Sequence, residues 1–150
     1  MPPEIWFYHL ERSGIDAVLP PLLEKSLERG WRALVRTTSR ERVAALDDVL
    51  WSYRDESFLP HGAAHDADPE LQPVLLADDV KDHDERDLLI LIDRAQAASI
   101  DHYKRVILLF DGGDEEALRE ARARWQSFKA DGLEVTYWQQ SADGRWERKS

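Results

Sequence analysis

Arg105-Val106-Ile107-Leu108-Leu109-Phe110-Asp111-Gly112-Gly113-Asp114 decides the architecture of this chain. Its apolar run is strand-sized and carries no polar residue from Val106 to Phe110, the pattern of a strand covered on both faces. Gly112-Gly113 reads as a tight strand-to-helix turn, in which glycine supplies positive φ. Asp114 is placed to cap a long helix that ends near Asp131-Gly132. A buried strand feeding directly into a helix is the unit of an α/β fold.

The same alternation extends in both directions. Ile5 to Leu10 is a short aromatic-rich apolar run, strand-like. A helix is expected from about Pro20 to Arg29, with Leu19, Leu23 and Leu27 every fourth residue, proline at its start and Gly30 after its end. Trp31 to Arg36 reads as a second strand, with Ala33 and Val35 on one face. Ser39 can cap a helix from Arg40 to Leu50 whose apolar stripe is Val43, Leu46 and Leu50. Pro60, Gly62 and Pro69 punctuate a long loop from Asp55 to Pro69. Pro73 to Ala77 and Asp87 to Asp93 are strands, and the acidic stretch Ala77 to Glu85 is exposed. Leu133 to Gln139 closes the series, and the tail from Gly144 adds a short edge. Strands alternating with helices imply right-handed crossovers in a mostly parallel twisted sheet, with helices on both faces.

Composition narrows the function. The 150 residues suit a single domain, 1–150, and 43% are hydrophobic, six of them Trp, which permits a compact core. No apolar run approaches the roughly 20 residues that span a membrane. Met1-Pro2-Pro3-Glu4 lacks the basic start of a signal peptide. The absence of cysteine excludes disulfides and thiolate metal sites. A cytoplasmic protein is expected. Lys and Arg number 20 against 30 Asp and Glu, a formal net charge of -10. So acidic a surface works against tight contact with phosphate backbones, so protein partners are expected, with DNA reached only indirectly.

Catalytic signatures are missing. The sequence contains no Gly-x-x-x-x-Gly-Lys-Ser/Thr and no Gly-x-Gly-x-x-Gly, and carboxylates flank its one glycine pair. No cofactor and no metal are expected. His61, His65, Asp66 and Asp68 could share a metal only on a helix, which Pro60, Gly62 and Pro69 oppose. His9 and His102 are isolated. Asp47-Asp48 reads as a solvated helix face. The enzyme alternative is a small metal-dependent hydrolase or nuclease using the strand-end carboxylates Asp93, Asp111 and Asp114.

Two segments exceed what a core requires. Leu46 to Gly62 gathers Trp51, Tyr53, Phe58 and Leu59 at a helix end and loop, where aromatics are either core anchors or hot spots for a partner. In the helix after Asp114, Leu118, Ala121, Trp125 and Phe128 recur at i, i+3, i+7 and i+10 and face the sheet. Arg119, Arg122, Gln126 and Lys129 repeat that spacing about 100° away. Arg122, Trp125 and Lys129 meet where the stripes join. Cations beside an aromatic can hold an acidic peptide with a hydrophobic end; the alternative is an amphipathic helix with a solvated basic flank.

The chain resembles the chi subunit of bacterial DNA polymerase III. The resemblance rests on Phe7-Tyr8-His9-Leu10, Gly30-Trp31-Arg32, Leu46-Asp47-Asp48-Val49-Leu50-Trp51, Ser57-Phe58-Leu59-Pro60-His61-Gly62, Gln72-Pro73-Val74 and Val135-Thr136-Tyr137-Trp138-Gln139-Gln140, with Leu46 to Gly62 the most specific part. It implies a Rossmann-like domain without a nucleotide site, non-catalytic by itself. It also implies two partners: the acidic, Phe-ending C-terminal tail of single-stranded DNA-binding protein, and the psi subunit, which links chi to the clamp loader. The tail would take Arg122, Trp125 and Lys129, with Arg119 and Gln126 as flanks. Some relatives have a basic residue where this chain has Gln126, which implies weaker tail binding here. The psi surface would involve Trp51, Phe58 and Leu59.

Overall fold

The computed structural model describes residues 2–11, 14–52, 61–63, 72–78, 86–97 and 99–149. In chain order the elements are β1 (Glu4–Leu10), α1 (Ile15–Glu28), β2 (Ala33–Arg36), α2 (Arg40–Ser52), β3 (His61–Ala63) and β4 (Val74–Ala77). They continue with β5 (Leu88–Leu91), β6 (Arg105–Asp111), α3 (Glu115–Ala130), β7 (Val135–Gln140) and β8 (Trp146–Arg148). One eight-stranded sheet has the order β3-β4-β2-β5-β6-β1-β7-β8. Every pair is parallel except β7 with β8.

Side chains alternate across the sheet, so the strands between its two edges feed two cores. Val35, Ile90, Ile107 and Leu109 meet Leu19 and Leu23 of α1 and Val43, Leu46 and Leu50 of α2 on one face. Phe7, Leu89, Leu108 and Phe110 meet Ala117 and Ala121 of α3 on the other. Helices therefore cover both faces, and β2, β4 and β5 are buried along their whole length. Each leucine fully withdrawn from water contributes about 1.5–3 kcal/mol.

Several boundaries differ from those read from the sequence. α1 begins at Ile15, not Pro20, so Pro20 and Pro21 lie inside it. The backbone bonds these prolines cannot make would fall on the carbonyls of Asp16 and Ala17, both at exposed positions where water can substitute. β2 begins at Ala33 because Trp31 still belongs to the helix end. Gly30 takes φ +81° and the Trp31 N–H donates to the Ser26 carbonyl at 3.0 Å, a Schellman closure. α3 ends the same way, with Gly132 at φ +80° and the Leu133 N–H on the Phe128 carbonyl.

His61 to Ala63 was expected in a loop and is instead β3, a buried edge strand paired with β4. Gly62 suits it, since a Cβ there would come within 2.8 Å of the Gln72 side chain. His65, Asp66 and Asp68 lie outside the described residues, as do Tyr53, Phe58 and Leu59.

Candidate binding surface on the third helix

The α3 helix starts where β6 ends, at the carboxyl edge of the sheet. The Asp114 carboxylate accepts from the N–H groups of Glu116 at 3.0 Å and Ala117 at 3.3 Å. Glu115 and Glu116 lie in the first turn and Lys129 in the last, each favourable to the helix dipole. Ala117 and Ala121 are small enough to bring the helix close to the sheet, and Leu118, Trp125 and Phe128 pack beside them.

Trp125 is the hinge between core and surface. Its ring packs edge-on against Phe7 (5.7 Å between centroids) and Tyr137 (5.6 Å), while Lys129 Nζ lies 5.2 Å from its centroid. Arg122 is exposed one turn earlier, close enough for its charge to act on both His9 and Tyr137. The structure thus gathers Arg122, Trp125 and Lys129 with two residues the sequence did not assign, His9 of β1 and Tyr137 of β7.

His9, read as isolated, is a buried and connected residue. Its Nδ1 lies 2.6 Å from the Tyr137 hydroxyl and its Nε2 3.1 Å from Glu11 Oε1. Burial holds its pKa below the usual imidazole range; Glu11 opposes this and Arg122 adds to it. Burial likewise raises the Tyr137 phenol, with Arg122 opposing. Strand alternation places Phe7, His9 and Tyr137 on the α3 face, but only the pairing of β1 with β7, distant in sequence, makes them neighbours.

The charges on α3 separate by side. Glu116 and Glu120 pair with Arg94 at 3.2 and 2.6 Å, and Glu120 also with Arg124 at 3.3 Å. Arg124 further donates to the Ala95 carbonyl. On the opposite flank Arg119, Arg122 and Gln126 are exposed, and among the described residues no carboxylate pairs with Arg119 or Arg122. Glu116 and Glu120 are thus engaged on one side, away from the basic flank beside Trp125.

Gly112-Gly113 has another cause than the one read from sequence. Neither residue has positive φ. Gly112 is required by close approach: a Cβ there would overlap the His9 imidazole and come within 3.0 Å of the Leu10 carbonyl oxygen. The strand-end carboxylates hold structure together. Asp93 accepts from Thr37 Oγ1 at 2.6 Å and from Arg42 Nε at 2.9 Å, Asp111 accepts from the Gly113 N–H at 2.8 Å, and Asp114 caps α3. Among the described residues no three His, Asp or Glu side chains form a metal-binding group.

Trp51 lies on α2, which covers the opposite face and packs against β3 and β4 at the far edge of the sheet from β7. It is the exposed large hydrophobic residue among the described residues, at 56%. Its ring sits 4.7 Å from that of His61, and His61 Nε2 lies 2.9 Å from Asp47 Oδ1, so Asp47 is not purely solvated as expected. Phe58 and Leu59, expected to act with Trp51, lie outside the described residues.

These features define an α/β protein whose glycine turn and strand-end acids serve packing, and whose third helix turns a basic flank outward beside an aromatic ring. Residues 2–136 match the family model of the DNA polymerase III chi subunit, HolC, and the chain belongs to that family. It is 24% identical over 148 residues to a probable DNA polymerase III subunit chi of Rickettsia prowazekii (strain Madrid E), spanning 94% of this chain and 88% of the relative. It is 30% identical over 112 residues to the DNA polymerase III subunit chi of Pseudomonas aeruginosa (strain PAO1), spanning 74% and 76%. Chi is an accessory subunit of a polymerase holoenzyme. Among the described residues, no helix is long and apolar enough to cross a membrane.

Proposed function

We propose that this chain, as a single domain, works in the cytoplasm as a non-catalytic replication adaptor that joins single-stranded DNA-binding protein to the clamp loader. The observation that carries this is the basic flank of α3, where Arg119 and Arg122 have no carboxylate partner among the described residues and Trp125 and Lys129 stand alongside. A peptide ending in carboxylates and a phenylalanine suits it: guanidinium and ammonium groups take the acids, and the edge between Trp125 and Tyr137 takes the ring. Arg122, Trp125 and Lys129 are the central contacts, with Arg119 and Gln126 as flanks. Gln126 offers no charge, which reduces the attraction.

The psi subunit takes the other surface, through Trp51, Phe58 and Leu59. Its exposed indole is an aromatic anchor of the kind that dominates protein interfaces. Trp51 lies on α2 and Arg122 on α3, helices that cover opposite faces of the sheet, which supports binding of both partners at once. Mechanistically the domain is a tether. A weak tail contact raises the local concentration of clamp loader and polymerase at coated template. A pull-down with single-stranded DNA-binding protein, intact and lacking its acidic tail, tests the reading. Capture is expected only with the tail, and equal capture of both forms would refute it.

A further inference from the structure

The α1 face of the sheet carries a second surface that the adaptor reading does not use. Trp6 and Tyr8 of β1, Trp138 of β7 and Trp146 of β8 all project to that face. Beside α1 they line a groove of about 510 Å³, which continues into a second of about 430 Å³ reaching Trp31 and Arg105. The rings form one continuous set. Trp6 and Trp138 are 5.9 Å apart, Tyr8 and Trp138 are stacked at 6.5 Å, and Tyr8 meets Trp146 edge-on at 4.9 Å.

Cations are interleaved with the rings. The Arg105 guanidinium lies 3.7 Å from the Trp6 centroid and that of Arg29 lies 4.3 Å from Trp31, while Lys25 borders both grooves. Glu28 lines the second groove and Glu4 pairs with Arg105 at 2.9 Å. Among the described residues no carboxylate pairs with Lys25 or Arg29. A core needs neither half-buried tryptophans in a row nor cations over them.

The ligand that matches both features carries planar rings on an anionic backbone. We infer that this groove binds single-stranded nucleic acid, with bases stacking on the Trp138 and Trp146 edge and phosphates meeting Lys25 and Arg29. The net charge of -10 opposes encounter, so the contact is weak and strongly dependent on salt. An acidic peptide shares the charge but lacks a succession of planar rings.

Fluorescence polarisation of labelled oligo-dT and oligo-U with the full chain at low salt tests this. The wild type binds, and affinity falls as salt rises. Lys25→Glu with Arg29→Glu weakens binding by about tenfold or more, and Trp146→Leu on the short edge strand weakens it without touching a charge. Arg122→Ala, on the opposite face, leaves it unchanged. The inference is overturned by absence of binding at low salt, by equal binding to the Lys25/Arg29 variant, or by a loss confined to Arg122→Ala. It is also overturned if the Lys25/Arg29 variant loses an acidic Phe-ending peptide instead. That peptide's dependence on Arg122, measured in parallel, reports on the adaptor reading separately.

Discussion

His9 Nδ1 lies 2.6 Å from the Tyr137 hydroxyl, a contact between β1 and β7 that joins residues 128 positions apart directly beneath the α3 surface. The pair connects the buried sheet to the exposed Arg122, whose charge both groups feel.

Stability should fall on acidification through His9. Its pKa in the folded protein lies below the ordinary 6.5, with burial the largest cause. The unfolded chain therefore takes up the proton first, and stability is complete above the ordinary value and declines as pH falls through it. Urea midpoints at about pH 8 and about pH 5.5 should differ more in the wild type than in His9→Gln. An equal pH dependence would show that His9 is not the group responsible. Tyr137→Phe, which removes the partner of Nδ1, should cost about 1–2 kcal/mol.

Gly112→Ala should be disruptive although the residue lies in a turn at the surface. The added methyl overlaps the His9 ring, and the Leu10 carbonyl behind it is backbone that cannot swing aside. A loss of about 1–3 kcal/mol is expected. Gly113→Ala, whose nearest neighbour is the Asp111 carboxylate at 3.3 Å, should cost less. Thermal unfolding of the two variants compares them directly.

On the α3 surface, Arg122→Ala should weaken an acidic peptide ending in Asp-Asp-Phe by about tenfold, the loss of one charge-assisted contact, with stability changed by less than about 0.5 kcal/mol. Binding should weaken as salt rises. The same substitution removes a positive neighbour of His9, so the His9 titration midpoint followed by NMR should move up. Trp125→Ala should weaken the peptide and also cost up to about 3 kcal/mol, because the ring packs on Phe7 and Tyr137. Calorimetric titration against unaltered affinity in Arg122→Ala would reject this placement.

Asp93 should prove structural. It sits at φ +53°, followed by Arg94 at φ +65°, and holds both Thr37 and Arg42. Asp93→Ala leaves those donors without their acceptor and keeps the unfavourable backbone, so a loss of about 2–3 kcal/mol is expected in chemical denaturation. A stable variant would mean that the strand end is held by other contacts.

Local order in the chain determined much of this protein. The uninterrupted apolar runs of β5 and β6, the Asp114 cap and the stripe of α3 are each written within a few residues, because strand and helix periodicities are local properties. They were enough for an α/β sheet with helices on both faces, and they brought Arg122, Trp125 and Lys129 together on one helix. Punctuation was less decisive. Two prolines sit inside α1 and His61 to Ala63 joins the sheet, because burial of Val18 and Leu19 in one case, and pairing with β4 in the other, outweighed the local signal. What only the tertiary structure decided is which distant strands are neighbours. The position of β1 between β6 and β7 gives His9 its partner, makes Gly112 a packing residue, seats Trp125 between Phe7 and Tyr137, and aligns Trp6, Tyr8, Trp138 and Trp146 on one face. Such pairings join residues more than a hundred positions apart, and no window of the sequence holds both members.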